Sequence, residues 1–122
     1  MLLCGILFTR KFLIVQITEL DISLYNNNET NWNNLSGSRK TTLTDRELNT
    51  RSRQQATLYR DLFNMLEQKY NQGKLGFVNI WGVADRESWL NNYPVSDRTD
   101  YPLLFDRNYA PKPAFHELIR GR

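Results

Sequence analysis

Cysteine occurs once, at Cys4, and histidine once, at His116. A single thiol excludes an internal disulfide and a thiolate metal site, and it leaves the redox compartment unread. The lone histidine falls in a segment that reads as the last helix, as a surface or packing residue rather than a catalyst or metal ligand. Glycines stand singly at caps and turns, so no phosphate-cradling loop is present. Basic residues exceed acidic ones by only 16 to 13, scattered from Arg10 to Arg122 without a basic helix face. That pattern describes a solvated mixed-charge surface and argues against a nucleic-acid partner. A hydrophobic content of 40% supplies one core in 122 residues without suggesting a membrane span. Carboxylates are dispersed too, so neither a metal centre nor a cofactor is expected.

What is there is a twofold strand–helix rhythm. The apolar opening MLLCGILFTRKFLIV runs straight into QITELD, so VQITELDISL reads as the end of a first strand behind an atypical leader at residues 1–12. The leader has no basic residue before its apolar stretch and no small-x-small cleavage site after it, so it does not read as a secretory signal. YNNNETNWNNLSGSRKTTL follows as a long surface loop with Asn-x-Ser/Thr patterns at Asn28 and Asn34 and an aromatic at Trp32. Thr44-Asp-Arg-Glu47 is a capping box that predicts a helix from Asp45 to Tyr70. Its buried stripe is Gln55, Tyr59, Leu62, Leu66 and Tyr70, widened by Ala56 and Phe63, and Gly73 is placed to end it. LGFVNIWG is a second strand, and Pro113 starts a short helix with Phe115, Leu118 and Ile119 expected inward. Strands joined through a helix are parallel neighbours by a right-handed crossover, which makes the chain α/β and one domain.

Strand alternation places Val15, Ile17, Glu19 and Asp21 on one face of the first strand, so two carboxylates end an apolar row. Ionised carboxylates are rarely buried unpaired, so this strand end opens into a cleft or into water. Phe77, Asn79 and Trp81 share a face of the second strand, with Asp85 and Trp89 beyond it. Trp81 therefore stands where Glu19 stands, at the carboxyl end of a parallel strand, the end at which α/β sheets bind ligands. Two readings stay open for Trp81 and Trp89: plugs at the top of the sheet, or flat platforms for a sugar ring with an indole N–H to donate.

ITELDIS, WGVADRESWL and PLLFDRNYAPKPAF, in this order, together with the Gln55, Ala56 and Tyr59 pattern, resemble the carboxyl-terminal part of the glycoside hydrolase family 10 endo-1,4-β-xylanases over residues 13–120. The resemblance implies a (β/α)8 TIM barrel, of which residues 1–122 form one partial domain: strand 7, helix 7, strand 8 and helix 8. It implies retaining hydrolysis of β-1,4-xylosidic bonds in xylan or xylo-oligosaccharide, without a cofactor or metal, by a whole protein that is extracellular. It also implies roles: Glu19 the nucleophile, Asp21 its support through a histidine, and Trp81 and Trp89 the glycone-side contacts.

The chain departs from that pattern. The family's acid/base motif of Trp-Asp-x-x-Asn-Glu type and the histidine that touches the nucleophile belong to earlier strands and have no counterpart in residues 1–18. Asn79 stands where a small hydroxyl residue is usual. The irregular lead GILFTRKFLIV points to truncation or a shifted frame upstream, and the 122-residue chain is expected to be catalytically incomplete. Two other readings remain: a related barrel glycosidase on another β-glucan, and a non-catalytic carbohydrate-binding piece that self-associates to close a barrel. A loop contact from Trp32 to the leaving-group side of a sugar chain is a further expectation.

Overall fold

A computed structural model describes residues 7–9, 12–30 and 39–120. The elements are β1 (Leu7–Thr9), β2 (Phe12–Leu20), α1 (Asn27–Thr30), α2 (Asp45–Asn71), β3 (Leu75–Ile80) and α3 (Pro113–Ile119), with a 3-10 turn at Asp85–Glu87. β2 and β3 pair in parallel through α2, as the strand–helix–strand rhythm requires, with Val15 opposite Leu75 and Leu20 opposite Ile80. β1 was not foreseen: part of the segment read as a leader is an antiparallel strand, pairing Leu7 with Ile14 and Thr9 with Phe12. The described sheet is thus three strands in the order β1-β2-β3, an open sheet rather than a closed barrel. Trp32, Asn34 and Cys4 lie outside the described residues.

The capping box forms as its residues predict. Thr44 Oγ1 accepts from the Glu47 amide, and the Glu47 carboxylate accepts from the Thr44 amide at 2.9 Å. Twenty-seven residues of helix follow, ended at Gly73, whose φ of +70° suits a residue without a Cβ. Gln55, Ala56, Tyr59 and Leu66 are buried against the sheet, and Leu62 and Phe63 pack beside them. Tyr70 is not in that stripe: it is 60% exposed, at the end of the helix two residues before Gln72 closes it. The last helix also differs in detail, since Ala114 and Leu118 are its buried residues and Ile119 points outward at 52% exposure. α3 packs against α2, and its Ala114 and Leu118 join the core that α2 forms with the strands.

Simple alternation along β2 fails. Ile17 and Leu20, three apart, are both buried in the core, with Val15 and Ile22 packed on the same side. The pairing register with β3 shifts between Ile17 and Leu20, an irregularity that lets one extra residue pass to the outer side. Glu19 and Asp21 therefore do not share a face with Val15 and Ile17, as alternation had them. They lie opposite the helix-covered core, with Glu19 exposed and Asp21 half-buried. On β3 the alternation holds from Phe77 onward, with Val78 and Ile80 on the core side and Phe77, Asn79 and Trp81 exposed, while Leu75 and Val78, three apart, both face the core across a second register shift between Val15 and Ile17.

Candidate active site

The open face of the sheet gathers the four residues singled out in the sequence. The Trp81 amide donates to the carbonyl of Leu20 at 2.9 Å, which continues the ladder past both strand ends and seats Trp81 beside the Glu19–Asp21 segment. Asn79 Nδ2 donates to the Thr18 carbonyl at 3.1 Å, a second tie across the same face. Trp89 Nε1 donates to Asp21 Oδ2 at 2.7 Å, and its ring packs at 5.4 Å from that of Tyr93. Trp81 and Trp89 keep 45% and 50% of their surface exposed.

Burial pushes the Asp21 carboxyl above its ordinary value; the Trp89 hydrogen bond acts against this, and the negative charges of Asp100 and Glu19 add to it. Asp21 is thus a poorer anion than an exposed aspartate, held by an indole N–H rather than by a cation. Glu19 stands exposed next to it, free to meet a ligand at the strand end. His116 sits on the exposed side of α3 with its ring edge toward Phe115 at 5.7 Å, away from both carboxylates.

The loops that carry these side chains are fixed by buried polar residues that pattern reasoning passed over. Asp85, fully buried, accepts from the Leu103 amide at 2.8 Å and pairs with the Lys112 ammonium at 3.0 Å. Lys112 Nζ also donates to the carbonyls of Tyr101 and Leu103 at 2.7 and 2.8 Å. Burial raises the Asp85 carboxyl and lowers the Lys112 ammonium, each partner opposing the other's shift. Asp100 joins the strand-end segment to the far loop, accepting from Ser23 Oγ at 2.6 Å, the Leu24 amide at 3.3 Å and the Tyr101 amide at 2.7 Å. Arg98, also buried, donates to the carbonyls of Glu29 and Lys40 and lies 4.0 Å above the Tyr25 ring. A signal existed for Lys112, a cation set between Pro111 and Pro113 in an apolar tail. Asp85 carried one too, as a carboxylate between two tryptophans; Asp100 and Arg98 look like ordinary loop charges.

Gly82 explains the Trp-Gly pair. Its φ of +134° lies where L side chains rarely go, and a Cβ there would sit 2.8 Å from Leu103 Cδ1. Leu103 is fully buried, so the chain after Trp81 turns tightly over it. Among the described residues no three His, Cys, Asp or Glu side chains are grouped to hold a metal ion, and no helix is long and apolar enough to cross a membrane.

Known proteins match this arrangement closely. A β-1,4-xylanase of Dictyoglomus thermophilum is 44% identical over 106 residues, 87% of this chain and 27% of the relative. A solved GH10 structure from Paenibacillus barcinonensis superposes with a TM-score of 0.69 at 36% identity, covering 88% of this chain and 27% of the other. A solved mutant in complex with xylotriose is 35% identical with a TM-score of 0.67, over 88% of this chain and 29% of that one. The chain spans about a quarter of the length of these relatives. The model of glycosyl hydrolase family 10 matches residues 7–120, through the strand-end carboxylates, both tryptophans and the Lys112 tail alike. The chain belongs to glycosyl hydrolase family 10.

Proposed function

We propose that this chain carries the nucleophile half of an endo-1,4-β-xylanase active site. In this reading residues 1–122 form a single partial domain, the last two β/α units of an eight-stranded barrel. β2 is strand 7 and β3 is strand 8. One observation carries the reading: Glu19 stands exposed at the carboxyl end of a parallel strand, beside a carboxylate held by Trp89 and two half-exposed indole faces.

The chemistry fits a retaining hydrolysis. Glu19 attacks the anomeric carbon of a xylosyl unit and forms a covalent glycosyl ester while the leaving oxygen takes a proton from a second carboxylic acid. Retention needs that acid about 5 to 5.5 Å from the nucleophile, and the family pattern puts it in an earlier strand. Asp21 supports Glu19 from two residues on, oriented here by the Trp89 indole. Trp81 and Trp89 offer apolar ring faces to the glycone sugars. The relative solved with xylotriose supports xylo-oligosaccharide or xylan as substrate. Extracellular location of the whole protein belongs to the same proposal.

The test is a chimera in which residues 13–120 replace the matching segment of the Dictyoglomus thermophilum β-1,4-xylanase. The folded chimera should hydrolyse xylo-oligosaccharide with retention, and Glu19→Gln should lower kcat by at least about 1,000-fold without unfolding it. A folded chimera that is inactive, or one that keeps its rate with Glu19→Gln, overturns the assignment.

A further inference from the structure

Trp89 stands exposed between Ser88 and Leu90, which are both buried. Its indole N–H reaches Asp21 at 2.7 Å from a stretch, residues 88–112, that holds no helix or strand. An exposed ring keeps such a bond only where the backbone beneath it is held, because an indole free to change rotamer gives its proton to water instead.

Asn91 supplies that hold. Its amide closes a turn on the Ser88 carbonyl at 3.2 Å, with Trp89 as the second residue of the turn. Its side-chain Nδ2 lies 2.8 Å from the Asp85 carbonyl, 3.1 Å from that of Ser88 and 3.4 Å from that of Arg86. Its Oδ1 accepts from the Asp100 amide at 3.1 Å and from Arg107 Nη1 at 3.2 Å. Both N–H groups and both lone pairs of the carboxamide are thereby used. Leucine matches the shape without these bonds, and aspartate keeps only the accepting half. Asp100 in turn accepts from Ser23 Oγ and the Leu24 amide, just beyond Asp21. The bonds close a ring: from Asp21 along the chain to Ser23, across to Asp100, through Asn91 to the Trp89 turn, and back to Asp21 by the indole N–H. Members of a closed network hold one another, so opening it at Asn91 loosens the bond at Asp21.

We propose that Asn91 is a positioning residue of this site: it fixes the turn from which Trp89 projects, and so holds the indole N–H on Asp21 and the ring face toward the glycone side. The part played in sugar binding rests on the reading given above; the hydrogen-bond ring does not.

Carboxyl NMR of the 122-residue chain tests this by reading the Asp21 midpoint in the unaltered protein, in Asn91→Ala, in Trp89→Phe and in the two combined. Among the described residues the charges that act on Asp21 are Glu19 and Asp100, and both are present in all of these. Asn91→Ala should raise the midpoint by about half a unit or more, the partial loss of one hydrogen bond to a charged group. It should also shift the Trp89 indole N–H resonance and leave that of Trp81 in place. With Trp89→Phe already present, Asn91→Ala should leave the midpoint where it is, because the donor through which Asn91 acts is gone. Where the alanine variant does not fold, Asn91→Asp keeps the acceptor and drops the three donations; its added charge acts in both backgrounds, and the shift should still be larger with Trp89 present. In the chimera, Asn91→Ala should lower kcat/KM for xylo-oligosaccharide about 10- to 100-fold. The titration needs no substrate, so an inactive chimera counts against the xylanase reading alone. A midpoint unmoved by either substitution, equal shifts in the two backgrounds, or an unchanged Trp89 indole resonance overturns the proposal.

Discussion

Replacing Lys112 by methionine isolates the interaction that fixes the loops around the candidate site. Methionine keeps most of the stem volume and removes the ammonium, which pairs with Asp85 at 3.0 Å and donates to two carbonyls within 2.8 Å. Asp85 is fully buried, so the loss strands a carboxylate with only the Leu103 amide as partner. Removing one member of a buried pair costs about 3–5 kcal/mol. For a chain of this size that lowers Tm by roughly 10–20 °C. Without its cation Asp85 keeps only the Leu103 amide against burial, and its pKa in the folded state rises further above that of the unfolded chain. The sign follows. The penalty is full at neutral pH and shrinks as pH falls through the raised folded value, because the folded protein then takes up a proton that the unfolded chain still lacks. Urea unfolding followed by circular dichroism at pH 7 and pH 5 measures both effects. The double substitution Lys112→Met with Asp85→Leu should recover a large part of the loss, since an apolar pair of similar volume avoids the stranded charge. A loss below about 1 kcal/mol, or a penalty that grows toward pH 5, would refute this account.

Three further outcomes follow from the same structure. Trp89→Phe keeps an aromatic ring beside Tyr93 but removes the donor to Asp21, so the Asp21 titration followed by carboxyl NMR should move upward; an unchanged midpoint would show that the indole does not hold it. Glu29 is held down to about 2, chiefly by its hydrogen bonds to Arg51 at 2.6 and 2.8 Å, so its contribution to stability is present above the ordinary glutamate value and is lost as pH falls from about 4.5 toward 2. Glu29→Gln should flatten that part of the acid limb in thermal melts, and a variant with an unaltered limb would remove this pair from the account. Gly82→Ala should cost about 1–3 kcal/mol through both its φ and the contact with Leu103, and more than Gly73→Ala, where nothing lies within 4 Å; equal unfolding free energies for the two would sink the argument.

The order of elements was readable because its signals are local. The Thr44 capping box, the 3.6-residue stripe of α2 and Pro113 each act within a turn, and each appears where its residues put it. What misled was the assumption that a strand keeps its parity. One register shift between Ile17 and Leu20 reverses which residues face the helices, and it comes from pairing with β3, sixty residues away in sequence. Glu19 and Asp21 still ended together, because Leu20 and Ile22, which alternate with them, both turn to the core. β1 went unforeseen for a related reason: three residues of antiparallel pairing depend on a hairpin partner rather than on their own pattern. Tyr70 and Ile119 matched the helical period, but period names a face and not how far the neighbouring sheet extends under it.

The buried polar residues show why the family motifs contain the residue types they do. Gln55 donates to the carbonyls of Ile22 and Tyr101, Tyr59 to that of Pro102, and Lys112 to those of Tyr101 and Leu103. All these acceptors belong to the two irregular segments beyond the strand ends, whose backbone has no ladder to satisfy it. Side chains from α2 and from the start of α3 replace that ladder. The segment bearing Asp21 and the segment lying under Gly82 are therefore fixed from below, on the core side, while Trp81, Trp89 and Glu19 remain exposed above. A site built this way has its backbone held by the chain's own side chains, so a ligand bound there need not supply the free energy of ordering it. Gln55 and Tyr59 lie on the core side beneath the Asp21 segment, and they hold the carbonyls on which that order depends.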